Sequence, residues 1–279
     1  MIVTLLGTGT PFPTIERFGT SILVEAADEP LLFDCGRGAT VRLHQARVLS
    51  AHVPSVFLTH LHSDHVDGLP DLWLTGWLLG REVPLEVWGP DGTPELTRRL
   101  VRACAADVAL WQAEGDDLRA TGAAIRSRVI QPGVVYEKRR VRVSAFPIDR
   151  GRTSGAVGYQ IEHDGRTVVI SGDTQLSSSL IEAAEGAEVL IHAAWLADAM
   201  DRGPSRTRSI ASAVDAGRVF ARVKPGLAVL YHYLDDVALE ESVRKFYDGP
   251  LVIGRDRMRI EVTRGGQADS MTCDRRMVV

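Results

Sequence analysis

Between Phe57 and Gly68 the sequence reads Phe-Leu-Thr-His-Leu-His-Ser-Asp-His-Val-Asp-Gly, which places His60, His62, Asp64 and His65 within six residues. Imidazole and carboxylate are the ligands that borderline divalent ions such as zinc accept, and a hydrolytic site of that kind keeps one position open for water. His60 and His62 are spaced to grip one ion while Asp64 and His65 turn toward a second. The chemistry implied is hydrolysis. A divalent ion lowers the pKa of its water from about 15.7 to about 7 and polarises a carbonyl or phosphoryl oxygen. Asp64 is then both a candidate ligand and, through a free oxygen, a candidate proton acceptor. The bland alternative is a polar loop that happens to be rich in histidine. It gives way because ligand clusters in a defined context carry more specificity than single residues.

Something must hold such a loop. The apolar run Val56-Phe57-Leu58 reads as a buried strand, so the histidines leave its carboxyl end. Strand-like runs recur at 2–6, 21–25, 31–34, 56–59 and 85–88, with helix-like stretches at 38–47, 69–79 and 94–105. Pro94 suits the first turn of its helix. A second series follows at 141–147, 158–163, 167–171, 189–193, 227–231 and 259–262, punctuated by helices at 178–184, 209–223 and 238–247. Periodicity supports an α/β or α+β fold. Trp73 and Trp77, one helical turn apart, read as core. From Gly265 the sequence is polar and patternless. The expected organisation is one domain over 1–264 and a flexible tail over 265–279.

Composition narrows the partners. The chain has 279 residues, enough for a sizeable core, and a net charge of −4, which argues against a dedicated nucleic-acid scaffold. Cys35, Cys104 and Cys273 are odd in number and scattered, without zinc-ribbon spacing, and read as reduced thiols of a cytoplasmic protein. No apolar run reaches membrane-spanning length, and the start Met-Ile-Val-Thr-Leu-Leu reads as a first strand, not a signal peptide. The one basic concentration, Arg126, Arg128, Lys138, Arg139 and Arg140 within 116–140, reads as a solvated strand face.

The His60 stretch resembles the signature of the metallo-β-lactamase superfamily. Leu6-Gly-Thr-Gly-Thr-Pro-Phe-Pro13, Phe33-Asp-Cys-Gly-Arg-Gly38, the segment 155–159, Ser171-Gly-Asp-Thr174, Ile191-His192 and Leu230-Tyr-His-Tyr233 are similar to segments of its ribonuclease Z and arylsulfatase-like branch. The similarity runs over about residues 1–262. It implies an α/β (α+β) fold, a four-layer αββα sandwich, a homodimer, and a hydrolase using one or two Zn2+ ions, with iron or manganese as alternatives. It adds Asp173 as a ligand bridging the ions and His232 as the last histidine ligand. The implied metal set is therefore His60, His62, Asp64, His65, Asp173 and His232. Read alone, Asp173 could equally cap a helix, and His232 could be a hydrogen-bonded core histidine. Asp34 reads either as a carboxylate holding a ligand histidine's N–H or as a strand-end turn residue.

The pattern breaks at Arg150, where the family carries a histidine ligand. A guanidinium stays protonated and cannot ligate a cation. Three readings stand: Asp149 substitutes, Arg150 joins Asp64 as a catalytic group by binding an anionic substrate, or Arg150 points to solvent. Loss of that histidine leaves the Asp64–His65–Asp173–His232 site as the tighter of two. The ribonuclease Z branch also carries a glutamate and a donor histidine where this chain has Ala193, after His192, and Arg208, and no long glycine- and proline-rich arm is present. The expected function is a metal-dependent hydrolase of a small-molecule ester, lactone, thioester, sulfate or phosphodiester. The alternatives are a ribonuclease Z-like phosphodiesterase acting on RNA and a non-hydrolytic or binding protein with a degenerate site.

Overall fold

Apolar residues alternate along the strands of two sheets, and helices cover the outer face of each. The computed structural model describes residues 1–114, 118–151, 155–198 and 210–263, together with the backbone of 268–271. The first sheet is built from β1 (Ile2–Gly7), β2 (Ser21–Ala26), β3 (Glu29–Phe33), β4 (Ser55–Phe57), β5 (Leu85–Gly89), β6 (Ile125–Val129), β14 (Met258–Val262) and β15 (Ala268–Met271). Its order is β15-β14-β1-β2-β3-β4-β5-β6. The second contains β7 (Gly133–Lys138), β8 (Val141–Pro147), β9 (Val157–His163), β10 (Arg166–Ile170), β11 (Val189–Ala193), β12 (Leu227–Tyr231) and β13 (Leu251–Ile253). Its order is β13-β12-β11-β10-β9-β8-β7. Both sheets are mixed: β3 to β6 and β10 to β13 run parallel, and the remaining pairs are antiparallel.

Three apolar clusters define the layers. Val3, Leu5, Ile22, Val24, Phe33 and Phe57 of the first sheet face Val143, Tyr159, Ile161, Val168, Ile191 and Val229 of the second. Their neighbours on the same strands, Leu6, Leu23, Leu32, Val56 and Val87, point the other way. There they meet Leu43 of α1 (Ala39–Gln45) and Leu72 and Trp73 of α3 (Leu69–Leu78). Likewise Val169, Leu190, Ala228 and Leu230 meet Leu180 of α6 (Ser178–Ala183), Phe220 of α7 (Ala213–Val223) and Val243 of α8 (Leu239–Arg244). Period two on strands buried on both faces therefore gives helix, sheet, sheet, helix. This is the expected four-layer αββα sandwich.

Trp73 and Trp77 are fully buried, and their indole N–H groups donate to Ala123 O and Arg119 O. Several elements lay outside the sequence reading, the short β13 among them. Helix α5 (Ala105–Ala113) has no buried residue, so no apolar stripe announces it. Strands β6 and β7 fall in the basic stretch. Strand β15 pairs with β14 inside the segment read as a tail, through backbone bonds to which side-chain pattern is blind. Helix α7 starts later than the pattern suggested, behind a capping box of Ser212 and Asp215.

The two sheets are pinned together at one end. Val157 N donates to Thr59 O at 3.0 Å, and His232 N donates to Thr8 O at 3.0 Å. Tyr159 Oη donates to Leu58 O at 2.7 Å. These bonds join the carboxyl ends of β4 and β1 to the second sheet, and the chemistry-bearing loops lie there.

Candidate metal centre

Each candidate side chain leaves the carboxyl end of a strand. Asp34 follows β3, His60 follows β4, and Asp64 and His65 lie on the short α2 (Ser63–Val66). Asp173 follows β10 and His232 follows β12. The loops interlock tightly. Cys35 N donates to His65 O at 2.8 Å, Gly68 N donates to Cys35 O at 2.9 Å, and a Cβ on Gly36 would meet Asp64 O at 2.3 Å. Asp34 and His232 adopt left-handed backbone with φ of 55° and 57°. That conformation costs a non-glycine residue roughly 1–3 kcal/mol and gathers at functional sites, where the surroundings hold it.

Four ligand-type atoms form a compact cage. His232 Nε2 lies 3.1 Å from Asp173 Oδ1, 3.2 Å from His65 Nε2 and 3.3 Å from Asp64 Oδ2. His65 Nε2 lies 3.5 Å from Asp173 Oδ1 and 3.6 Å from Asp64 Oδ2. Atoms bound about 2.0–2.1 Å from a tetrahedral zinc ion stand roughly 3.3 Å apart. His60 Nε2 approaches Asp173 Oδ2 at 3.7 Å. His60 Nε2, Asp64 Oδ2 and Asp173 Oδ1 are buried and have no aligned hydrogen bond. Buried polar atoms of this kind call for a partner, and one cation satisfies them together. The donor set fits a borderline divalent ion.

One carboxylate orients two of the imidazoles. His65 Nδ1 donates to Asp34 Oδ2 at 2.7 Å, so Nε2 carries the lone pair and faces the cage. Thr59 N donates to Asp34 Oδ1 at 2.8 Å, and the Thr59 hydroxyl lies 2.9 Å from Asp34 Oδ2 and 2.9 Å from His60 Nδ1. The hydroxyl therefore donates to Asp34 and accepts from His60, which fixes the His60 tautomer too. Asp34 is thus the carboxylate the sequence suggested. Thr59 was not singled out, although its place before His60 was its signal.

Electrostatics run in the same direction. Burial alone would lower the His65 pKa, but Asp34 and Asp173 outweigh it and raise it well above the ordinary value. His232 is likewise raised against burial, chiefly by Asp173. Asp173 is pushed up by burial, yet His232 and His65 hold it well below the usual carboxylate range. His60 is lowered, first by burial and then by His65. Two buried carboxylates demand positive charge here, and a divalent ion competes with protons to supply it.

His62 stands apart. It is exposed, and among the described residues the metal-capable groups are His60–His65–Asp173 and Asp64–His65–His232, without it. Arg150 is buried, not solvent-facing. Its Nη2 donates to Asp173 Oδ2 at 2.6 Å, and Nη1 lies 3.3 Å from His62 Nε2. Asp149 is exposed and accepts from Gly151 N at 2.9 Å, so it does not turn in as a substitute. The sequence reading paired His60 with His62, and their ring centroids lie 4.9 Å apart; the His60 ring also stands 4.0 Å from that of His65, and Arg150 adjoins His62. His192 points at Phe220 in the outer layer and donates from Nδ1 to Ala193 O at 2.7 Å. Ala193 faces the space between the sheets and presents no carboxylate there. Arg208 lies outside the described residues.

The family model described as Anti-Pycsar protein Apyc1 matches residues 1–203. The chain belongs to this family. Beyond the Apyc1 model, a ribonuclease Z of Mycobacterium sp. (strain KMS) is 33% identical over 276 residues, covering 94% of this chain and 96% of that protein. The metallo-β-lactamase fold protein YhfI of Bacillus subtilis superposes with a TM-score of 0.72 at 19% identity, over 92% of this chain and 97% of its own. The short form of human tRNase Z gives a TM-score of 0.73 at 22% identity, over 94% of this chain and 100% of its own. Both establish the fold. This Apyc1-family chain is a metal-dependent hydrolase of the metallo-β-lactamase fold, and the degenerate-site alternative falls away.

Proposed function

We propose that this protein is a phosphodiesterase that opens a small cyclic nucleotide. The observation that carries the reading is a buried guanidinium beside a buried cage of ligand-type atoms, Arg150 Nη2 standing 2.6 Å from Asp173 Oδ2. That pairing suits a phosphodiester, which needs both an electrophilic partner and a clamp for its anionic oxygen. The substrate class comes from the family, one of cyclic nucleotide phosphodiesterases.

In this reading His60, His65, Asp64, Asp173 and His232 hold the ion, with zinc the first candidate and iron or manganese the alternatives. When bound, a divalent ion polarises a phosphoryl oxygen and acidifies a water near neutral pH. Asp64 takes the proton from the attacking water, and Arg150 grips the phosphate. One P–O bond forms to the water oxygen, one P–O ester bond breaks, and a proton ends on the leaving sugar oxygen. The product is a linear nucleotide monophosphate. The reading includes a homodimer of one-domain chains, residues 1–264, acting in the cytoplasm. Among the described residues no helix is long and apolar enough to cross a membrane.

A second reading, cleavage of RNA, rests on the relatives named ribonuclease Z. Two observations weigh against it. The basic run is matched by acids: Arg126 and Arg128 pair with Glu86, Lys138 and Arg139 with Glu29, and Arg140 with Asp164. Ala193 also leaves the donor pair of that branch incomplete. The test is a panel of 3′,5′- and 2′,3′-cyclic nucleotides, a neutral ester and a precursor tRNA, with and without added zinc, read by chromatography. Zinc-dependent release of linear nucleotide is the expected result. Cleavage of the tRNA alone would establish the second reading, and ester turnover alone would defeat both.

A further inference from the structure

We propose that the protein works with a single metal ion and that the Arg150 guanidinium is the second positive charge of its cleft. It takes the corner where His62 and the outer oxygen of Asp173 would otherwise receive a second ion. The inference deepens the phosphodiesterase reading and rests on it for the identity of the substrate, not for the metal count.

The geometry divides the cleft at Asp173. Oδ1 belongs to the cage, 3.1 Å from His232 Nε2 and 3.5 Å from His65 Nε2. Oδ2 faces Arg150, accepting from Nη2 at 2.6 Å, with His60 Nε2 farther off at 3.7 Å. A carboxylate with cations on both sides is the arrangement of a paired-metal site, but here one cation is a side chain. His62 Nε2 faces Arg150 Nη1 at 3.3 Å, and His62 joins neither metal-capable group among the described residues. A second dication at that corner would share both atoms with a fixed positive charge at contact distance, where repulsion is largest.

Arg150 is seated there by its neighbours. Asp149 O accepts from Gln175 N at 2.7 Å and from Thr174 Oγ1 at 3.1 Å, which ties the Arg150 segment to the one that carries Asp173. The side chain is 3% exposed. Nη1 and Nη2 each carry a second N–H beyond the contacts to His62 and Asp173, so the guanidinium still has donors to offer. A planar fork differs from an ion in what it does. It cannot activate a water, but it grips a phosphate in a fixed orientation. The cleft therefore has one activating side and one anion-holding side.

The experiment counts metal. Wild-type protein and the R150H, R150A and R150K variants are loaded with excess zinc or cobalt, freed of unbound ion, and measured by mass spectrometry. Circular dichroism checks each fold. Wild type is expected to hold about one ion per chain, and R150H about two, with its cobalt ions magnetically coupled. R150K keeps the charge and should stay near one. Two ions in the wild type, or one in a folded R150H, overturns the proposal, and so does a second ion in R150K. Should R150H and R150A fail to fold, the wild-type and R150K counts still decide. R150A should also raise KM for an anionic diester by ~10-fold or more relative to a neutral ester; equal shifts would contradict the anion-holding role. A one-to-two change in stoichiometry without cyclic nucleotide turnover defeats the functional reading alone.

Discussion

The two sides of the cleft solve the same electrostatic problem differently. On the His65–His232 side, two buried carboxylates and two imidazoles converge with edges of 3.1 to 3.6 Å, and a proton or a metal ion must complete the balance of charge. On the His62 side, a covalently attached cation already lies against the outer oxygen of Asp173. The first side is built to be completed from outside; the second is completed by the chain. A ligand set therefore has to be judged by what else occupies its corner as well as by its residue types.

Breaking the first side should have the largest effect. His232→Ala or Asp64→Ala should release the metal and lower phosphodiester turnover by roughly 10³-fold or more, the scale on which a principal catalytic group acts. Retention of metal at wild-type affinity in either variant would show that the cage is not the site.

Asp34→Asn comes next, because Asp34 orients His65 directly and His60 through Thr59. Metal affinity should fall about 10–100-fold, the usual cost of losing such an orienting group. Thr59→Val should fall at the low end of that range, and a competition titration with a chromogenic chelator would rank the two.

His192 sharpens the contrast from outside the cleft. It is a buried imidazole whose pKa burial lowers to about 4 from the ordinary 6.5, against weaker opposing pulls from Ala193 O and Asp215, whereas His65 is raised. The unfolded chain then binds a proton that the folded chain refuses. Stability is therefore full above pH 6.5 and declines as pH falls toward about 4. At 1.36 kcal/mol per pKa unit the loss approaches ~3 kcal/mol. Urea unfolding of wild type and His192→Gln at pH 7.5 and 4.5 checks this. Equal acid losses in the two proteins would refute it.

The smallest effect is expected at the basic run. Arg126→Gln with Arg128→Gln removes two exposed partners of Glu86 and should shift stability by under about 1 kcal/mol. Cyclic nucleotide turnover should stay within about twofold. A large loss confined to RNA substrates would revive the nucleic-acid reading.

Much of this was legible in one dimension. The His60–His65 stretch advertises itself because its residues sit within one loop, and a short loop leaving a buried strand can hardly separate them. Periodicity gave the α/β or α+β class, and the family resemblance supplied the four layers. Strands β6 and β7 were hidden because neither contains a fully buried residue, so no apolar pattern marks them. Asp173 and His232 needed the family resemblance, since each alone had an ordinary structural explanation.

The sequence determined the ligand types, the strand that feeds them and the absence of a histidine at position 150. Tertiary structure alone decided where Arg150 goes. A side chain with four rotatable bonds at a loop position reaches either solvent or cleft, and local sequence does not distinguish them. Bonds from Gln175 N and Thr174 Oγ1 to Asp149 O, 25 residues apart in the chain for the latter, turn it inward. The same packing set Arg150 against His62 and joined His65 to His232 across 167 residues. Those contacts depend on how the two sheets are pinned, which is a property of the whole chain.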